Sequence, residues 1–127
     1  MAYSARYIEH FSNPHGVGEI EHPDFASEVE HQGGGCFDRV RLTIHVEVGR
    51  ISEARFKARA CSGTIAACSA LIELIEGLSE SEAASVNSAD IIKHLDGIPE
   101  TKQHSVDLAA SALAKALAAH CCLEESV

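Results

Sequence analysis

Alternation on either side of one glycine restricts this chain more than any other feature. Val40, Leu42, Ile44, Val46 and Val48 fall on one face of a segment, and Arg39, Arg41, Thr43, His45 and Glu47 on the other. Val48-Gly49-Arg50 turns the chain, after which Ala54, Phe56, Ala58 and Ala60 alternate with Glu53, Arg55, Lys57 and Arg59. Successive side chains of a strand point to opposite faces, so this pattern predicts an antiparallel hairpin with one buried face. A short hairpin sets its outer ends side by side. Here those ends are Gly33-Gly34-Gly35-Cys36-Phe37-Asp38, expected to be a flexible loop, and Cys61. Two thiols distant in sequence and one carboxylate are therefore expected at one edge of a sheet.

The remaining segments support that edge. Tyr3, Tyr7, Ile8 and Phe11 share a helical face, ended by Asn13-Pro14 and the turn-rich His15-Gly16-Val17-Gly18. Residues 19–32 are polar, contain Pro23 and show no sustained period; they have room for a short edge strand around Phe25 to Val29. His22 and His31, in this segment, read as solvated side chains. Ile65, Cys68, Leu71, Ile72 and Ile75 recur at helical spacing from Thr64 to Glu76, with Gly77 as the stop. Ser79-Glu80-Ser81-Glu82 is a capping-box pattern opening a short helix through Val86, and Asn87-Ser88 caps another over Ala89 to Leu95, stopped by Gly97. The last helix is expected from about Val106 to His120, with Leu108, Ala112, Leu113, Ala116 and Leu117 as its buried stripe.

The 127 residues suffice for one domain with a core and are too few for two, so residues 1–127 are read as a single unit. The formal net charge of -9 argues against a nucleic-acid partner, whose binding relies on clustered Lys and Arg. No apolar run approaches the ~20 residues of a membrane span, and Met1-Ala2-Tyr3-Ser4-Ala5-Arg6 is not followed by the apolar block of a signal peptide. No membrane association is expected, and the expected location is cytoplasmic.

The five cysteines, Cys36, Cys61, Cys68, Cys121 and Cys122, are an odd count with no CxxC pair. That points away from a disulfide framework and from a sequence-local zinc knuckle, and toward metal ligands, reactive thiols or buried small apolar groups. Cys61 precedes a helix, where unpaired amides and the positive dipole end favour a thiolate. Cys68 sits on the apolar stripe and reads as a small hydrophobe.

Together these segments resemble the U-type iron–sulfur cluster assembly scaffolds: the IscU-like, SufU-like and N-terminal NifU-like domains. The likeness spans almost the whole chain. Asn13-Pro14-His15-Gly16-Val17-Gly18 resembles the family's "NPxNxG" exit from its opening helix. Cys36-Phe37-Asp38 resembles the first-cysteine motif, commonly Cys-Gly-Asp, and Glu53-Ala54-Arg55-Phe56-Lys57 with Cys61 resembles the second strand and second cysteine. Ile65-Ala66-Ala67-Cys68-Ser69 resembles the helix that follows, and Ile98-Pro99 through Lys102-Gln103-His104 to Leu108-Ala109 the segment of the third cysteine. The resemblance implies an α+β fold, a small three-stranded antiparallel sheet covered on one face by helices. The third strand, within residues 19–32, rests on it. The resemblance also implies a non-enzymatic role, that of holding a nascent [2Fe–2S] cluster, or zinc in its place, on three cysteines and the Asp near the first. A cysteine desulfurase and cluster-acceptor proteins would be the partners.

The chain departs from this pattern at the third ligand. The family reads His-Cys where this sequence has His104-Ser105, and a neutral hydroxyl is a poor substitute for a thiolate. Cys121 lies 16 residues further on, ~24 Å along a continuous helix, and reaches the site only if the helix ends early. Cys121-Cys122 therefore reads as part of a frayed terminus or as a contact to a neighbouring subunit. Phe37 in place of Gly adds apolar bulk. The remaining set, Cys36, Asp38, Cys61 and His104, suits tetrahedral zinc or a labile [2Fe–2S] cluster, since His can replace Cys on iron. Lys102 is expected near the site, as a partner of Asp38 or as a solvated charge. Two readings of other classes stand beside the scaffold: a non-catalytic adaptor or regulator of a cysteine desulfurase that carries no cluster, and a thiol enzyme with Cys61 as nucleophile and His104 as base.

Overall fold

A single sheet in the order β1-β2-β3, antiparallel throughout, carries the molecule. The computed structural model describes residues 4–33, 36–60, 62–98 and 102–125, with side chains for 4–30, 38–60, 63–98 and 102–118. The strands are β1, Phe25–Gly33, β2, Cys36–Glu47, and β3, Arg50–Arg59. The helices are α1, Ala5–Ser12, α2, Ser62–Ile75, α3, Glu80–Ala84, α4, Ser88–His94, and α5, Gln103–Glu125. Helices α2 and α5 pack on the sheet and on each other, α2 over β3 and α5 over β1 and β2. The expected α+β architecture, three antiparallel strands with helices on one face, is the architecture observed.

Alternation explains the hairpin almost residue by residue. Val40, Leu42, Ile44, Ala54 and Phe56 are buried, while Arg39, Lys57 and Arg59 are exposed. Val48 departs from its assigned face: with Gly49 it forms the two-residue loop between the paired Glu47 and Arg50, fully exposed. Ile51 joins the core although its parity differs from that of Ala54 and Phe56. The pairing supplies the reason. His45 faces Glu53 and Val46 faces Ile51, so Ser52 is an extra residue that flips the phase of β3.

The edge strand β1 is longer than expected, reaching Gly33 rather than Val29, and the proposed loop shortens accordingly. Gly33 pairs with Cys36, so Cys36 and Phe37 begin β2. Polar side chains do not prevent this, because Phe25, Ser27 and Val29 face inward, leaving Glu28 and Glu30 at exposed positions. The Ser27 hydroxyl donates to the Ala112 carbonyl at 2.6 Å, fastening β1 to α5.

In α1 the inward residues are Tyr7 and His10, whereas Ile8 and Phe11, expected on the buried face, are half exposed. Tyr3 lies outside the described residues. The turn that follows is built into the sheet: the Phe56 amide donates to the Gly16 carbonyl and the Gly18 amide to the Phe56 carbonyl, both at 2.8 Å. A Cβ on Gly16 would stand 2.7 Å from Ile72, and φ is +80° there, so both space and backbone require glycine.

Both capping boxes form, Ser79 with Glu82 before α3 and Asn87 with Asp90 before α4. Helix α2 is buried on nearly all sides, with Ala66, Ala67, Cys68, Ala70, Leu71, Ile72 and Ile75 in the core. Helix α5 extends beyond both expected ends. It continues through Cys121 and Cys122 to Glu125, so these residues continue the helix rather than fray. The seven alanines from Ala109 to Ala119 favour such continuity, and neither Gly nor Pro interrupts it.

Candidate metal centre

The start of β2 and the first turns of α2 and α5 meet at one end of the molecule. Asp38 is the third residue of β2 and is 1% exposed. Burying a carboxylate is costly without partners. Thr64, in the first turn of α2, donates its hydroxyl to Asp38 Oδ2 at 2.9 Å. From α5, His104 Nε2 stands 3.6 Å from the same oxygen. Ser105 Oγ lies 3.4 Å from His104 Nε2 and is fully buried. The same imidazole nitrogen thus meets both the carboxylate and the hydroxyl.

Gly63 makes this convergence possible. A Cβ there would stand 2.9 Å from Ser105 Oγ and 3.0 Å from Lys102 Cδ. The absence of a side chain lets the starts of α2 and α5 approach until position 105 faces position 63. Lys102 runs along this contact. Among the described ion pairs, Asp38 has His104 and not Lys102 as its basic partner.

Cys68 lies one helical turn beyond Thr64, fully buried. Burial first, and then the nearby Asp38 charge, push its thiol up to about 12. It is a core residue, as its place on the apolar stripe predicts.

Of the sequence-predicted set, the structure brings Asp38, His104 and Ser105 together. Cys61 lies outside the described residues. Cys36 is described as the first residue of β2, two positions before Asp38, and its side chain lies outside what is described. Cys121 is not folded back toward Ser105, since α5 is continuous between them. Sequence reasoning passed over Thr64 and Gly63. Both fall in the first turn after Cys61, but only the packing of β2 and α5 against that turn shows that a hydroxyl donor and a missing side chain matter there.

The geometry suits a metal. Two donors each about 2.1 Å from a tetrahedral ion are about 3.4 Å apart, close to the spacing of Asp38 Oδ2 and His104 Nε2. An oxygen and a nitrogen alone favour no single metal. Thiolates beside them would favour zinc or iron–sulfur chemistry.

Known proteins agree with this architecture. The family model of the NifU-like N terminal domain matches residues 2–124. The iron-sulfur cluster assembly scaffold protein IscU of Escherichia coli is 36% identical over 125 residues, covering 93% of each chain. The bifunctional protein NifU/MnmA of Rubrobacter xylanophilus is 40% identical over 116 residues, which cover 90% of this chain and 23% of that protein. The chain thus spans about a quarter of the length of that relative. Among solved structures, a putative SUF-system scaffold protein from Fervidobacterium islandicum superposes with a TM-score of 0.74 at 21% identity, covering 91% of this chain and 96% of that one. A NifU-like N-terminal protein from Brucella abortus gives 0.71 at 17% identity, covering 97% and 94%. With its fold, its paired Asp38 and His104, and a match along nearly its whole length, the chain belongs to the NifU N-terminal family of U-type iron–sulfur scaffold domains.

Proposed function

We propose that the protein is a scaffold for iron–sulfur cluster assembly, holding a [2Fe–2S] cluster as transient cargo, or zinc in its place. Asp38, His104, Cys36 and Cys61 are the proposed ligands, with a hydroxyl at the third-cysteine position. The observation that carries this reading is the buried Asp38 carboxylate beside His104 Nε2, 3.6 Å apart at the end of the sheet where Cys36 begins β2. A paired carboxylate and imidazole, each with an atom to offer an ion, add oxygen and nitrogen to the two sulfurs. Thr64 orients the carboxylate through its hydroxyl. A cysteine desulfurase as sulfur source and proteins that accept the finished cluster are the proposed partners, in keeping with the scaffold names of the relatives. Among the described residues no helix is long and apolar enough to cross a membrane.

Ser105 favours a second reading, an adaptor of the desulfurase that carries no cluster. A buried hydroxyl stands where the family pattern has a thiol. One experiment separates the two. Anaerobic reconstitution with iron and sulfide should load the wild type with a visible [2Fe–2S] chromophore. The Ser105→Cys variant should hold it several-fold longer in air, because a thiolate replaces a neutral oxygen. A wild type that takes up neither cluster nor zinc beyond the level of the Cys36→Ser/Cys61→Ser double variant overturns the scaffold reading in favour of the adaptor.

A further inference from the structure

Nine residues beyond Thr64, about 14 Å along α2, a second group of ligating side chains gathers from three helices. His10 comes from α1, Glu73 from α2 and His94 from the end of α4. Glu73 Oε1 is 2.9 Å from His94 Nε2 and 3.4 Å from His10 Nε2, and the candidate ligand atoms all lie within 4.8 Å of one another. Two atoms bound to one tetrahedral ion are about 3.4 Å apart; the Glu73–His10 separation matches this, and the shorter Glu73–His94 separation is that of a hydrogen bond which an ion would replace.

We infer that His10, Glu73 and His94 form a second metal site, selective for a zinc-class divalent cation and distinct from the Asp38 centre. Its donor set is two imidazoles and one carboxylate, with a fourth position left to water. Such a set contains no sulfur, so it suits zinc or cobalt and does not suit an iron–sulfur cluster.

The surroundings are those of a built site. His10 is 7% exposed, and its Nδ1 lies 2.7 Å from Ser69 Oγ. The same oxygen accepts the His15 amide at 2.8 Å. A hydroxyl oxygen carries two lone pairs, so it can also accept Nδ1–H, which leaves the Nε2 lone pair facing Glu73. The third ligand is held from the backbone side: Arg6 donates to the His94 carbonyl at 3.1 Å, and the Ser4 hydroxyl donates to the Leu95 carbonyl. Arg6 lines the same groove, and its guanidinium is 3.6 Å from Asp96. His15 belongs to a different pair, with Nε2 2.8 Å from Glu76. A groove of about 420 Å³ borders the three ligands and opens the site to solvent. A bound ion would staple α1 to α2 and α4.

The test is a Co²⁺ titration of the Cys36→Ser/Cys61→Ser protein, which removes sulfur from the Asp38 centre. One Co²⁺ should bind with visible d–d bands and no sulfur charge-transfer band, and Zn²⁺ should displace it. Glu73→Gln or His94→Gln in that background should weaken binding at least tenfold. Both substitutions lie at solvent-accessible positions, and thermal unfolding in chelator confirms that each folds. A second measurement needs no ligand variant: substoichiometric Co²⁺ should broaden the imidazole proton signals of His10 and His94. Binding no tighter than in Glu73→Gln, or His10 and His94 signals left sharp, would overturn the site and leave the group as an interhelical hydrogen-bond cluster.

Discussion

Asp38 and Thr64 illustrate how a hydroxyl donor helps a charge to be buried. The carboxylate has almost no exposure, so the Thr64 hydroxyl at 2.9 Å substitutes for water. Thr64 is itself fully buried, and valine matches its shape without the hydroxyl. Thr64→Val should therefore destabilise the metal-free protein by about 1–3 kcal/mol, the cost of withdrawing a donor from a buried acceptor. Urea unfolding measures this, with the slope of the transition unchanged. A loss below about 0.5 kcal/mol, the level of an ordinary surface change, would mean that the hydroxyl does not support the carboxylate. Residue identity also limits what the sequence discloses. Asp38 was legible because it sits two positions from a thiol at the end of an alternating run. Thr64 was not, because its importance lies in an oxygen that approaches it from another element.

At the scale of elements, periodicity carried most of the fold. The inward faces of β2 and β3 and the stripe of α5 were legible because alternation and helical spacing follow from backbone geometry alone. Three features were not. The register shift at Ser52 is decided by pairing, not by composition. The end of β1 at Gly33 is set by backbone hydrogen bonds to β2, which any side chain permits. The burial of His10 on α1 depends on where α2 and α4 lie, so Tyr7 was read correctly as inward while Ile8 and Phe11 were placed there in the stead of His10. The β2–β3 loop offers a test at this scale. Val48 and Gly49 both have positive φ, 53° and 75°, the conformation of a type I′ turn. A β-branched residue is strained there, and Val48 buries nothing in return. Val48→Asn should stabilise the hairpin, and with it the protein, by about 1 kcal/mol, read as a higher urea midpoint. A lower midpoint would mean that the loop leaves this conformation in solution.

For the whole molecule, the buried centre of α2 couples stability to alkaline pH. The two ligand groups lie along this helix, one near its start and one beyond its middle, with Cys68 between them. Their long-range assembly explains why the candidate site was only partly legible: Asp38 and His104 were reachable through motifs, whereas His10, Glu73 and His94 share no spacing and meet only once three helices have packed. Cys68 reports on that packing. Its thiol is pushed up from an ordinary value of 9.0 to about 12, by burial first and by the Asp38 charge second. Between those values the unfolded chain has lost this proton and the folded chain has kept it. The folded state then binds more protons, so stability falls as pH rises through 9, and the fall ends only near 12. One group of this kind contributes a slope approaching 1.4 kcal/mol per pH unit, or about 2 kcal/mol between pH 9 and pH 11. Other groups titrate in the same range, so the comparison is with Cys68→Ala. That variant should be less stable at neutral pH, because it leaves a small cavity. Its stability should nevertheless fall less steeply, and the gap between the two proteins should narrow by about 2 kcal/mol from pH 9 to pH 11. Urea unfolding across that range, in chelator and reductant, gives both slopes. Parallel slopes would show that Cys68 ionises as readily in the folded protein as in the unfolded chain, and that water reaches the centre of α2.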